Sequence, residues 1–462
     1  MNFLRGRSRE PTAALIAVVL VLGACSPAPT GAPSIGPSAT PPGTSAAALG
    51  SAPPPSPIAS LDHDAGWRAD LAALIPGMAA IHPNLTHSTS RAALDAAAAA
   101  PSARVGTATD DELLVGVLRI VAMVSATGCD AHTGAYIWGS GTYPVESLPF
   151  RLWLFSNEDG TRDEVRVVAA LPPYPMSIGE RIDAIDGHPI ADVLAAIAPL
   201  VPRDNDQTVR LLTPRFLLIP QVLRGLGLAG PGPITLTLTP FQKAGFSTLD
   251  VDPIPMAAYN AWAGPYGLHL PADPRVLYLS RIDDLLWWQL LPDGETLYVQ
   301  ANRIDPVPAA LLAQLRTALH QPGLARIVLD LRQNYGGELS ALDPVVQLFE
   351  DPAVTQPDRL FIVTGRNTFS GGSLLVARLK HDTPAQIVGE PMGGCPTFFS
   401  DPSDLVLPNT GITVGVADDT AIGVDANDQR QTIEPDVAGV LGWRDWYEGR
   451  DPALDLFKVV GP

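Results

Sequence analysis

Between residues 295 and 390 apolar strands alternate with helices, and this alternation restricts the chain to few architectures. "ETLYVQAN", "ARIVLDLR", "RLFIVTG" and "AQIVGE" read as strands, with "PAALLAQLRTALHQ", "SALDPVVQLFED" and "GGSLLVARLKHD" as the helices between them. Near-continuous apolar strands separated by helices predict an α/β fold whose sheet is largely parallel and covered on both faces. Sites in such sheets form beyond the carboxyl ends of the strands. Two turns lie there: "RQNYGGE" after residues 325–332 and "RNTFSGG" after 360–365.

The remainder divides into further regions, as expected of 462 residues. Residues 61–127 have helical composition, ending with the acid-headed apolar stretch "DDELLVGVLRIVAMVSA". "TGCDAHTG" breaks the pattern and opens a loop, and "PFRLWLF" and "DEVRVVAA" read as two strands around the turn "NEDG". Residues 177–197, "SIGERIDAIDGHPIADVLAAI", give a short strand, an Asp-Gly turn and a helix, a pattern that resembles the core of a PDZ-like domain. "PITLTLTP" would close that unit, the stretch between is mostly helical, and "QKAGFSTLDVDP" reads as a connector.

The N-terminus carries targeting features. Arg5, Arg7 and Arg9 precede the short apolar run "PTAALIAVVLVLG", and "LGAC" ends at Cys25 in a form that resembles a bacterial lipobox. Residues 26–60, without charge or aromatic side chain, read as a Pro/Ser/Gly tether spanning roughly 30 Å. An exported, membrane-anchored lipoprotein of the cell envelope is expected, on the outer face of a bacterial membrane or in the periplasm. A formal net charge of −18 argues against nucleic acid as a partner.

At the sheet edge, Ser370 follows a strand and opens a helix. Serine there is commonly an N-cap; the same place, among unpaired N–H groups at the positive end of the helix dipole, also suits a nucleophile. Gly336 and Gly337 in the neighbouring turn can either supply positive φ or aim N–H groups at an oxyanion.

Taken in order, "HPNL" (82–85), "CDAHTG" (129–134), "GERIDAIDG", "LYVQAN", "ARIVLDLRQNYGGE", "FIVTGRNTFSGGSLLVARLK", "AQIVGEPMGG" and "IEPDV" resemble the motifs of the C-terminal-processing, or tail-specific, serine peptidases. The resemblance spans nearly all of residues 61–440 and implies a crotonase-like α/β catalytic core (246–462), a helical N-terminal region with a His loop (61–165) and an inserted PDZ-like domain (166–245). It further implies Ser370 as nucleophile, Gly371 as one oxyanion donor and Gly336 or Gly337 as the other, with no cofactor, no metal and a polypeptide substrate. One branch of the family takes a lysine twenty-five positions after the serine, where this chain has Cys395. Lys380, ten positions along the helix, would be about 15 Å away by helical rise and is no substitute. The other branch, which resembles the tricorn core and retinoid-binding-protein-like modules, uses the histidine of Asp-x-His-Thr. That motif is Asp130-Ala131-His132-Thr133 here, so His132 is the expected base. The orienting acid falls in "DANDQRQTIEPD", as Asp428 or alternatively Asp425, with Gln429 near the usual place of a glutamate. Ser373 also departs from the family, which carries glutamate there. These departures keep a catalytically degenerate peptide- or ligand-binding protein as the alternative. Bringing His132 to Ser370 would make Cys129 and Cys395 neighbours, and a disulfide between them is expected, fixing the histidine loop.

Overall fold

A computed structural model describes residues 62–459, apart from 140–142, 158–159, 242–244 and 265–267. The signal segment, the tether and Cys25 lie outside the described residues.

Three helices, α1 (His63–Ile81), α2 (Arg91–Arg104) and α3 (Asp110–Ala122), open the fold. A reciprocal capping box between Thr109 and Glu112 starts α3, whose apolar residues are buried almost all round. An antiparallel sheet follows in chain order: β1 (Phe150–Ser156), β2 (Asp163–Ala170), β3 (Arg181–Ile185), β4 (Ile234–Thr239) and β5 (Ser247–Val251). Between β3 and β4 come α4 (Ile190–Ile197) and α5 (Asp206–Leu217). Alternation is clean in β4, where Ile234, Leu236 and Leu238 face the core. Phe150–Ser156 pairs into this sheet and packs on the same core as the helices, while the supposed connector differs from expectation and supplies the sheet's edge strand.

The second sheet has six strands: β6 (Leu286–Leu290), β7 (Thr296–Ala301), β8 (Arg326–Asp330), β9 (Leu360–Thr364), β10 (Gln386–Gly389) and the short edge pair Val437–Ala438 beside β10, with helices α6 (Ala309–Leu319), α7 (Leu342–Phe349) and α8 (Gly371–Asp382) between strands. Strands β7 to β10 are parallel neighbours, and β6 adds an antiparallel edge that the sequence had not revealed. One face packs Leu297, Val299, Ile327, Leu329, Ile362 and Ile387 against the helices. The other packs Tyr298, Val328, Val363 and Val388 against Ala453 and Leu454 of a C-terminal helix. Burial on both faces is why these strands lack alternation.

After β10 comes a long unanticipated hairpin, β11 (Thr397–Val406) paired with β12 (Thr413–Ile422). Its base packs beside β10 through Phe398 and Ala421. Its far end, Leu407, Ile412, Val414 and Val416, enters the core built by the N-terminal helices and the antiparallel sheet.

Candidate active site

Strand β9 ends at Thr364, and the turn that follows delivers Ser370 to the head of α8. An N-cap normally has extended backbone and spends its oxygen on helix N–H groups. Ser370 does neither: its φ is 52° and ψ −126°, and its side chain makes no cap bond. Its Oγ instead lies 3.1 Å from Nε2 of His132. Backbone this unusual costs about 1–3 kcal/mol and persists only where the surroundings over-determine it. Here Phe369 donates its N–H to Asn334 O at 3.0 Å, and Gly393 and Gly394 donate theirs to Thr368 O at 3.0 and 3.1 Å.

The imidazole is clamped between two rings, Phe369 and Phe398, with centroids at 4.9 and 5.2 Å and planes within 21° and 8°. Burial pushes its pKa down to about 4, outweighing the Asp130 charge and the Phe399 backbone, both of which favour the charged ring. The ring is therefore neutral at neutral pH, the form that accepts a proton. No group meets Nδ1 in good hydrogen-bond geometry among the described residues; the Phe399 backbone is what favours a proton on the ring locally.

The loop carrying His132 is fastened at several points. Cys129 and Cys395 are bonded, S–S 2.03 Å. Buried Asp204 accepts from Ala131 N–H at 2.7 Å and Cys395 N–H at 3.1 Å, and its own carbonyl accepts from Cys129 N–H at 3.0 Å. Burial drives the Asp204 carboxyl up to about 7, against the pull of those two N–H bonds. Gly134 and Gly415 exchange backbone bonds at 2.9 and 3.0 Å, so hairpin β11–β12 carries the far side of the loop.

Gly336 packs directly on the nucleophile: a Cβ added there would come within 2.5 Å of Ser370 Cβ, and its φ of 101° favours glycine. Its N–H already donates to Asn334 Oδ1 at 3.0 Å. The N–H groups of Gly337 and Gly371 donate no hydrogen bond among the described residues. Of the two candidates in this turn, Gly337 is thus the one with a donor to offer.

The two carboxylates expected to orient the imidazole are not brought to it. Arg430, two residues on, captures Asp428 through Nε at 3.0 Å and Nη2 at 2.6 Å, holding that carboxyl below its usual range. Asp425 turns onto the Asn427 N–H at 2.9 Å, and Gln429 reaches only Asn427 O at 3.4 Å. Lys380 pairs with Asp436 at 2.6 Å in the last turn of α8. The small residue at Ser373 has a steric reason: a Cβ on Gly394 would fall 2.1 Å from its Oγ, so the Gly393-Gly394 backbone fills the space a glutamate would need.

Behind the loop, Asp130 Oδ2 meets Nε2 of His82 at 3.1 Å and of His87 at 3.0 Å. Burial would raise this carboxyl, but bonds from the two imidazoles outweigh it and hold it low. The trio has the proximity of a metal site. However, Asn84 donates its N–H to His82 Nδ1 at 2.9 Å. That places the proton of a neutral ring on Nε2, where it donates to Asp130; a metal-bound histidine carries its proton on the other nitrogen. The trio is a hydrogen-bonded brace for the segment that ends in His132.

No family model and no curated protein matches the chain. Solved structures do. Mature CPAF complexed with lactacystin aligns with 86% of this chain and 98% of its own length, at 14% identity and a TM-score of 0.56. A CPAF mutant aligns with 86% and 97%, at 13% identity and a TM-score of 0.57. This chain has the CPAF fold. The photosystem II D1 C-terminal processing protease is also matched, at 14% identity and a TM-score of 0.35 over 80% of this chain and 92% of that one. The CPAF alignment covers most of the chain, so the pairing of His132 with Ser370 occurs within a known overall architecture.

The sequence motifs pointed to Ser370, His132 and both cysteines, but not to Asp204, Phe398 or Phe399. Asp204 had no local signal, because its partners lie 73 and 191 residues away.

Proposed function

We propose that the protein is a serine peptidase of the C-terminal-processing kind, acting on unfolded or C-terminal polypeptide segments. Ser370 Oγ attacks the scissile carbonyl carbon and passes its proton to His132 Nε2. The C–N bond then breaks as that proton moves to the leaving amine, and water, deprotonated by the same nitrogen, releases the acyl group. The N–H groups of Gly371 and Gly337 hold the oxyanion. Charge on the imidazolium is balanced by Asp130 at a distance and by the Phe399 backbone, in place of a bonded carboxylate. In this reading the parallel sheet is a crotonase-like core and the antiparallel sheet a PDZ-like peptide dock. Cys25 is the lipidated residue holding the enzyme to the cell envelope, which mass analysis of the mature N-terminus would test.

The observation that carries the proposal is the 3.1 Å contact made by a serine at a helix head that does not cap its helix. One observation favours the degenerate binder instead: His132 Nδ1 lacks a carboxylate. A fluorophosphonate probe separates the two. Labelling of the folded wild type, abolished in Ser370→Ala and His132→Ala, supports the peptidase; a folded wild type that stays unlabelled supports the binder.

A further inference from the structure

Beside the glycine turn lies a cavity of about 120 Å³ bounded by His269, Ile282, Asp283, Asn302, Arg303, Gln333 and Tyr335. One water needs about 10–15 Å³ measured this way, so the space admits a side chain rather than a single solvent molecule. Chain connectivity puts it next to the chemistry. Tyr335 directly precedes Gly336, which touches Ser370, and Arg303 directly precedes Ile304, whose N–H donates to Gly336 O at 2.9 Å.

The lining is chemically specific. Gln333 is 8% exposed, and its Oε1 meets no hydrogen-bond donor among the described residues. A buried, unmatched amide oxygen costs about 1–3 kcal/mol, which a ligand donor would recover. Arg303 has its Nε on Asp305 at 2.9 Å and is held further by Tyr335, which leaves a fixed guanidinium at the wall. Burial and the nearby Arg151 lower the pKa of His269, so it adds no second cation. Exposed Asp283 stands at the rim. Gln333 lines the space, and a turn of its amide would bring the unmatched, now shielded oxygen to face it together with Arg303. A carboxylate ligand would meet Gln333 Oε1 and Asp283 unfavourably, and an ammonium ligand would meet Arg303. A primary amide offers N–H to Gln333 and C=O to Arg303.

We propose that this cavity is a substrate subsite selecting a glutamine or asparagine side chain close to the scissile bond. The proposal deepens the peptidase reading and rests on it for the word substrate, though binding alone can test the pocket. The full chain carrying Ser370→Ala is titrated by fluorescence anisotropy with four labelled peptides, identical except for Gln, Ala, Lys or Glu at one position that is moved along the sequence. The expected result is a register in which the Gln peptide binds at least about tenfold tighter than the Ala peptide, about 1.4 kcal/mol. Gln333→Leu should erase that margin. Gln333→Glu, which keeps the shape and adds charge, should transfer the preference to the Lys peptide, a switch that mere loosening of the fold does not produce. Equal affinities in every register, or a Gln margin unchanged in both variants, would overturn the subsite. Turnover of the preferred peptide by the wild-type chain is read separately: a peptide bound with this selectivity but never cut leaves the subsite standing and removes the peptidase.

Discussion

At Ser370 the backbone reports function more directly than the side-chain type does. Serine heading a helix is common; serine heading a helix at φ 52° with its hydroxyl turned from the helix to an imidazole is not. If that geometry is strained, Ser370→Gly should be more stable than Ser370→Ala by about 1 kcal/mol, since glycine alone tolerates the conformation. Chemical denaturation of the two inactive variants measures it, and equal stability would mean the turn is unstrained. The neutral imidazole gives a second test. With the His132 pKa pushed down to about 4, the ring stays competent as the pH falls until about that value. The acid limb of the probe-labelling rate should therefore lie near 4 rather than near 6.5. The stability consequence has the matching sign. The unfolded histidine takes up its proton near 6.5 while the folded one resists until about 4, so stability is lost as pH falls through that interval. An acid limb close to 6.5 would show that the ring is better hydrated than its aromatic clamp implies.

Among the elements, hairpin β11–β12 and the bridged loop decide whether His132 is presented at all. Phe398 stacks on the ring, Phe399 donates its N–H to Cys129 O at 3.0 Å, and the disulfide ties the loop to the segment just before the hairpin. Replacing both Cys129 and Cys395 by serine removes a cross-link across 266 residues, worth about 5–6 kcal/mol in the chain-entropy model. Denaturation should show most of that loss, and probe labelling should slow at least about tenfold because the loop is no longer pinned. Labelling at the wild-type rate would mean that Asp204 suffices to hold it. What was legible beforehand follows from range. The parallel strands announce themselves because each is apolar along its own length, and Ser370, His132 and the cysteines because each sits in a short motif. Leu286–Leu290 and the hairpin were hidden for the opposite reason: "LWWQL" is too short to read alone, and the hairpin mixes "FFSDPSDLV" with acidic residues whose pairing partner is needed to make sense of them. The orienting acid was misplaced because Arg430, which captures Asp428, looks like any exposed arginine until the turn is folded.

Across the whole molecule, that same hairpin joins the two cores, alongside the disulfide, Asp204 and buried bonds such as Asn205 Nδ2 to Met392 O and Arg366 Nη1 to Leu154 O. Its base belongs with the parallel sheet and its far end with the N-terminal helices, so a continuous antiparallel ladder runs from beside the first helix to beside the His132 ring. The anchor at the far end is Asp70 on α1, 1% exposed. It accepts from Asn409 N–H at 3.2 Å, Asn409 Nδ2 at 2.7 Å and Thr410 N–H at 2.7 Å, fixing the hairpin turn to the helix. Asp70→Ala removes these bonds to a buried carboxylate; Asn409 is exposed, so its freed donors can turn to water, and at about 1.5–3 kcal/mol for hydrogen bonds to a charged group the loss should be roughly 1.5–3 kcal/mol. If the hairpin is a rigid lever, loosening its turn also loosens Phe398 and Phe399, and probe labelling at Ser370 should slow together with a faster hydrogen exchange along both strands. Asp70→Asn, which keeps one acceptor oxygen, should fall between wild type and alanine in both readouts. A variant that melts earlier but labels at the wild-type rate would separate stability from presentation of the imidazole, and would place the control of His132 entirely in the disulfide and Asp204 at the hairpin's other end.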